Sequence, residues 1–239
     1  MKAFFFSALA ISLVTLFGCK STPTNSNPNT FTGSSISIDS GSAYTWIKTD
    51  ASGNFRSIGV TISDGALTSL GQTDTMFELP IPSGFSSPFK SVMLDYATHD
   101  PAPYNHPHID PHFFYINMAA RMNIMDTMDS TMPMNMTMPS GYMTDDMSEA
   151  MMGVHWMDTT GPEYHGQPFE STCVYGFTKG TLAFMEVMCD KASLEGHKAI
   201  TGTVRQPMMM SGMTMSIPAS YKVSYDSSAH TSTIEFDGF

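Results

Sequence analysis

Apolar and polar residues alternate along most of this chain, in runs too short for helices. "AYTWIKTD", "ASGN" and "FRSIGVTI" read as strand, turn and strand, because β-branched and aromatic residues flank a Gly/Asn turn. "MFELPIP" and "PFKSVMLDYAT" predict two further strands, and "HFFYINM" a third. "DGALTSL" predicts a helical turn, and "NMAARMNIMDTM" a short helix. "MGVHWMD", "STCVYGF" and "TLAFMEVM" follow as short β segments. "SYKVSYD" and "STIEFDGF" close the chain, parted by a polar turn at Ser227-Ser228. Many short strands joined by Gly- and Pro-rich turns predict a mainly β chain, a barrel-like antiparallel domain with short helices. No long amphipathic helix competes with that reading.

Two stretches break the pattern. Residues about 126–150 and 207–218 have neither a strand nor a helix period and are rich in Met, Pro, Asn and Thr. They read as long Met-rich loop insertions, and loops of that length in a compact domain are functional or disordered. The periodic region, 43–239, is read as a single domain.

The N-terminus has its own texture. "MKAFFFSALAISLVTLFGC" carries one cation at Lys2, an apolar run, and Gly18-Cys19. That is the layout of a secretory signal, and the run is too short for a comfortable membrane span. Its end, "LFGC", resembles the bacterial lipobox. The resemblance implies cleavage after residue 18 and a lipid on Cys19. Residues 19–42 are then a Ser-, Thr- and Asn-rich flexible tether. Lys20 follows Cys19, with no aspartate there to hold the chain at an inner membrane. The expected place is therefore the cell envelope, as an outer-membrane lipoprotein facing the periplasm or the cell surface.

The formal charge of −11 argues against nucleic acid as a partner and allows a cationic one. An oxidising compartment also leaves open a disulfide between Cys173 and Cys189. A two-residue turn at Lys179-Gly180 sets Cys173 opposite Glu186. A one-residue bulge would bring both sulfurs to one face.

Methionine is the compositional outlier, with 23 residues, 13 of them between Met118 and Met157 and five between Met208 and Met215. Met132, Met134, Met136 and Met138 alternate strictly. On an extended segment their thioethers share one side, about 6 to 7 Å apart. Thioether is a soft ligand that selects Cu(I), and the segment resembles the methionine boxes of periplasmic copper-handling proteins. Packing in irregular gaps and oxidant scavenging stand as competing readings.

The densest polar chemistry is "HPHIDPHFFY", residues 106–115. His106, His108, Asp110 and His112 alternate. On a straight strand His108 and His112 lie about 13 Å apart, too far to share an ion. A bend at Pro111 would bring them together, with Asp110 accepting a hydrogen bond from a ligating ring. His155 in "GVHW" and Glu186 in "LAFMEVM" are the other candidates. An unpaired carboxylate in so apolar a strand is costly unless it faces solvent, a polar interior or an ion. Hydrogen-bonded histidines lining a pocket or an interface are the alternative.

These stretches also carry a family resemblance. "WIKTDASGNFRSIGVTISDGAL", "ELPIP", "PHIDPHFFY", "MGVHWMD", "PEYHGQPF", "VYGFTKGTLAFMEVM" and the closing "FDGF" occur in order. Together they resemble a family of uncharacterised secreted bacterial proteins typified by a sigma-E-regulated protein of Thermus thermophilus. The resemblance implies a β-rich, barrel-like fold and a homo-oligomer, and carries no established activity. It carries over His108, Asp110, His112, His155, Glu163 and Glu186, but not His106. Pro111 stands where the family has an aromatic residue, and the Met-rich insertion lies outside its pattern.

The combined expectation is a lipid-anchored envelope protein binding zinc, copper or iron. Its ligands would be His108, His112, His155 and Glu186, supported by Asp110, with a separate Cu(I) site at Met132, Met134, Met136 and Met138. One alternative is a metal-dependent hydrolase or cupin-like oxygenase. It would use Glu186 as base, in a pocket lined by Phe113, Tyr115, Trp156 and Tyr175. The other is a structural or stress-response oligomer without chemistry.

Overall fold

A computed structural model describes residues 29–98, 100–212 and 214–239. The signal segment, Cys19 and Lys20 lie outside them. In chain order the first strands are β1 (Thr30–Thr32), β2 (Ile36–Ile38), β3 (Gly41–Thr49), β4 (Phe55–Ser63), β5 (Thr75–Leu79) and β6 (Ser91–Ala97). Then come β7 (His108–Phe114), β8 (Thr127–Met128), β9 (Met136–Thr137), β10 (Tyr142–Met143), β11 (Met147–Glu149) and β12 (Gly153–Asp158). The last are β13 (Ser171–Thr178), β14 (Thr181–Asp190), β15 (Ile200–Thr203), β16 (Met208–Met209), β17 (Ser220–Asp226) and β18 (Thr231–Asp237).

The chain is mainly β, as its alternation predicts, and its larger antiparallel sheet curls into a half-barrel. One sheet is ordered β1-β3-β4-β18-β17-β15, with β2 also on β3. The curled sheet is ordered β5-β6-β7-β14-β13-β12-β11-β8, with β10 also on β12. The two sheets share one apolar core, in which Ile47, Ile58, Val60 and Phe236 meet Leu94, Ile109, Phe113, Tyr175 and Val187. Phe113 and Phe236 touch edge to face across it, with centroids 5.2 Å apart. Burying such side chains contributes about 1.5–3 kcal/mol each before chain entropy is counted.

Short helices fall where capping residues allow them. Asp64–Ser69 is capped by Ser63, and Met118–Arg121 by Asn117, each side chain accepting a backbone N–H. A third, Lys191–Glu195, is capped by Asp190 and was not apparent from periodicity. Two boundaries differ from expectation. The tether read over 19–42 gives way to structure by Thr30, because β1 and β2 pair with β3. The stretch 126–150 is not bare loop: β10 and β11 add to β12, and β8 adds to β11.

Two irregularities in the curled sheet place the site. The β13–β14 hairpin turns on Lys179 and Gly180, both at positive φ, a tight two-residue turn matched to strand twist. A bulge then shifts the register between Gly176 and Phe177: Phe177 pairs with Leu182 but Gly176 with Phe184. Cys173 therefore lies opposite Val187, and Glu186 opposite Val174. Period-2 alternation does the rest. Cys173 and Cys189 both turn into the inter-sheet core, where they are buried free thiols. Glu186 turns to the other face. The second irregularity is Pro111 inside β7, a position that usually excludes proline. β7 continues through it as one strand paired to β6, and only its pairing to β14 lapses, at Asp110 and Pro111.

Candidate metal site

On the face of the half-barrel away from the core, His112 and Glu186 are direct cross-strand neighbours. Side chains so placed meet at short range. His112 Nε2 and Glu186 Oε2 lie in close contact, both residues 2% exposed. His155 reaches the same oxygen from β12, with Nε2 at 3.7 Å. It sits opposite Gly176 of β13, the strand that lies between β12 and the β14 of Glu186. One ligand atom from each of His112, His155 and Glu186 lies within 4.8 Å of the other two, so this group could hold a metal ion.

The His112 ring is oriented for that. His112 Nδ1 lies 2.9 Å from the Asp110 carbonyl oxygen and donates to it, so Nε2, which faces Glu186, is the nitrogen left to an ion once its proton is lost. His112 Nε2 and Glu186 Oε2 are buried without a hydrogen bond in spite of their closeness. Buried polar atoms are rarely left so, because each costs desolvation energy. In the metal-free protein the proton of His112 offsets part of that cost, and a shared cation in its place would satisfy both atoms.

Phe184 and Gly176 make the floor. The Phe184 ring packs against His112 at 4.9 Å and His155 at 5.0 Å between centroids. It can do so because Gly176 beneath it has no side chain: a Cβ there would fall 1.9 Å from the ring. Gly176→Ala is therefore expected to cost about 1–3 kcal/mol by overpacking, read as a lowered midpoint of chemical denaturation. An unchanged midpoint would contradict this account of the floor.

The group opens into a cleft of about 340 Å³. Asp95, Asp100, Asp110, Asp145, Glu149 and Glu186 line it, and among the described residues no lysine or arginine does. Met143, Met147, Met152, Met157 and Met188 supply much of its apolar wall. The cleft therefore favours cations. The crowding of carboxylates shows in their protonation. Asp95 is pushed up to about 6, first by burial and then by the surrounding acids against the pull of His112. Asp110, its direct partner across β6 and β7, is raised well above the ordinary carboxylate range, chiefly by burial.

Three of the four expected ligands are together, and His108 is apart. Because β7 continues through Pro111 as one strand, His108 stays two alternations away from His112. Its Nε2 lies 3.2 Å from Asp110 Oδ2 and 3.3 Å from Asp100 Oδ2. Burial disfavours its charge, but Asp100 and Asp110 beside it outweigh burial and push it up to about 10. The backbone carbonyl of Asp110 accepts from His112, while its carboxylate lies beside His108. Glu163 is buried and accepts a hydrogen bond from Tyr104, while His106 and His165 are exposed.

The pocket expected from Phe113, Tyr115, Trp156 and Tyr175 is corrected. Phe113, Trp156 and Tyr175 belong to the inter-sheet core, and Tyr115 packs against it. Alternation requires this, since neighbours of His112 and His155 must face away from them. Tyr104 and Tyr164 line the cleft instead. Asp95 was missed, though its signal was present: an acid within the apolar run "VMLDYA". The expected methionine ladder is also broken. Asn135 has a positive φ, and Met136 is buried while Met132 and Met134 are exposed.

No protein-family model matches the chain, and neither a curated protein nor a solved structure matches it.

Proposed function

We propose that this chain is a lipid-anchored envelope protein whose half-barrel binds a divalent transition-metal ion through His112, His155 and Glu186. The observation that carries the reading is the convergence of three buried or half-buried ligand atoms, two of them without a hydrogen bond. Two imidazoles and one carboxylate form a donor set that suits zinc, and equally iron(II) or copper(II). The lipobox-like "LFGC" supports the anchor at Cys19 and an envelope location. The resemblance to secreted bacterial proteins supports the same compartment, and with it a homo-oligomer.

The test is metal content by mass spectrometry on the chain from residue 20 onward, purified without chelator or histidine tag. About one zinc, iron or copper per chain is expected. No metal as purified, and none taken up on dialysis against zinc, would overturn the reading.

One observation favours a second reading, a metal-dependent hydrolase or oxygenase. The group sits at the base of a substrate-sized cleft, and three protein ligands leave coordination positions open. A bound ion would there polarise a substrate oxygen or activate water. With Glu186 among the ligands, the base would be another cleft carboxylate. Asp95, pushed up to about 6, is poised near neutral pH for that work. The anionic wall restricts substrates to neutral or cationic ones.

A further inference from the structure

The two methionine-rich insertions, about seventy residues apart in sequence, meet in space. β9 of the first pairs with β16 of the second, antiparallel, and this pair forms a separate two-stranded sheet. Its register sets Met209 opposite Met136, and the Met210 N–H donates to the Asn135 carbonyl at 3.0 Å. Beside the pair lies a hollow of about 40 Å³, lined by Met134, Met136, Met209 and Met215. Its other lining groups are amide, hydroxyl and apolar, and it shares no residue with the anionic cleft.

We propose that this hollow is a binding site for a soft monovalent cation, Cu(I) or Ag(I), held by the thioethers of Met134, Met136, Met209 and Met215.

The donor set argues for it. Thioethers are neutral and polarisable, and they select Cu(I) over hard cations. With no carboxylate, imidazole or thiolate in the lining, nothing there compensates the charge of zinc or calcium. Size agrees, since the space exceeds the roughly 10–15 Å³ a water-sized occupant needs. The exposure gradient agrees as well. Met136 is 4% exposed at the floor, while Met134 at 48% and Met215 at 37% stand at the rim. Gap-filling accounts for a buried methionine such as Met136. It does not account for two rim methionines over a hollow. The proposal is independent of the His/Glu reading, because the two sites share no residue.

The test uses the full chain in detergent, with methyl-labelled methionine, titrated with Ag(I) and followed by NMR. The methyl signals of Met134, Met136, Met209 and Met215 are expected to shift first, saturating at one ion per chain. The variant Met136→Leu/Met209→Leu conserves volume, so the fold survives, and it is expected to weaken binding at least tenfold. Zinc is expected to leave these four signals unmoved. Earlier shifts at exposed methionines such as Met122 or Met125 would overturn the proposal. So would unchanged Ag(I) affinity in the double leucine variant. His112→Ala is expected to leave Ag(I) binding intact while removing zinc, so the two sites fail separately.

Discussion

Replacing His112 by alanine is expected to abolish stoichiometric metal binding. The ring is one of three candidate ligands, it is buried, and its Nε2 meets Glu186 Oε2 at the centre of the group. Loss of a supporting partner outside a metal's ligand set costs about 10–100-fold in affinity, so losing a ligand is expected to exceed 100-fold. Glu186→Gln tests the same centre with little change of shape, since it removes the charge and keeps the volume. His108→Ala is the discriminating companion. His108 is held between Asp100 and Asp110, outside the group, so about one metal per chain should remain. Zinc titration against a chromophoric chelator reads all three, with thermal melts to confirm folding. If His108→Ala lost the metal and His112→Ala kept it, the assignment of ligands would be wrong.

Metal affinity is expected to climb with pH, by about tenfold per unit, up to about pH 9. Without an ion, burial lowers the His112 pKa, but the charges of Glu186, Asp95 and Asp110 outweigh burial and set it at about 9. Glu186 is held below the ordinary carboxylate range, because His112 and His155 outweigh its burial, so it stays ionised. An ion therefore displaces one proton, from His112. Calorimetry in buffers of different ionisation enthalpy at pH 7 should report about one proton released per zinc. Proton uptake, or an affinity flat between pH 6 and 8, would count against this. The linked effect on the metal-free fold has the opposite sense. A pKa raised from 6.5 to about 9 gives stability that is complete below pH 6.5 and lost as pH rises through 9. His108, raised to about 10, adds a loss of the same sign.

Much of this molecule was legible in the chain itself. Strand alternation and turn residues are local properties, so the mainly β class, the two-residue turn at Lys179-Gly180 and the helical turn in "DGALTSL" could be read directly. The candidate chemistry was legible for a related reason. A glutamate in "LAFMEVM" and a histidine in "GVHW" are costly in apolar strands unless something faces them. What faced them was not legible, because register is a tertiary property: one extra residue moves every later side chain to the other side of a sheet. The bulge opposite Gly176 decided that Glu186 shares a face with His155 and that Cys173 does not. The unbroken course of β7 through Pro111, held there by its pairing to β6, decided that His108 stays apart from His112. The pairing of β9 with β16 decided which methionines meet, because two insertions without periodicity carry no signal of each other until the chain closes.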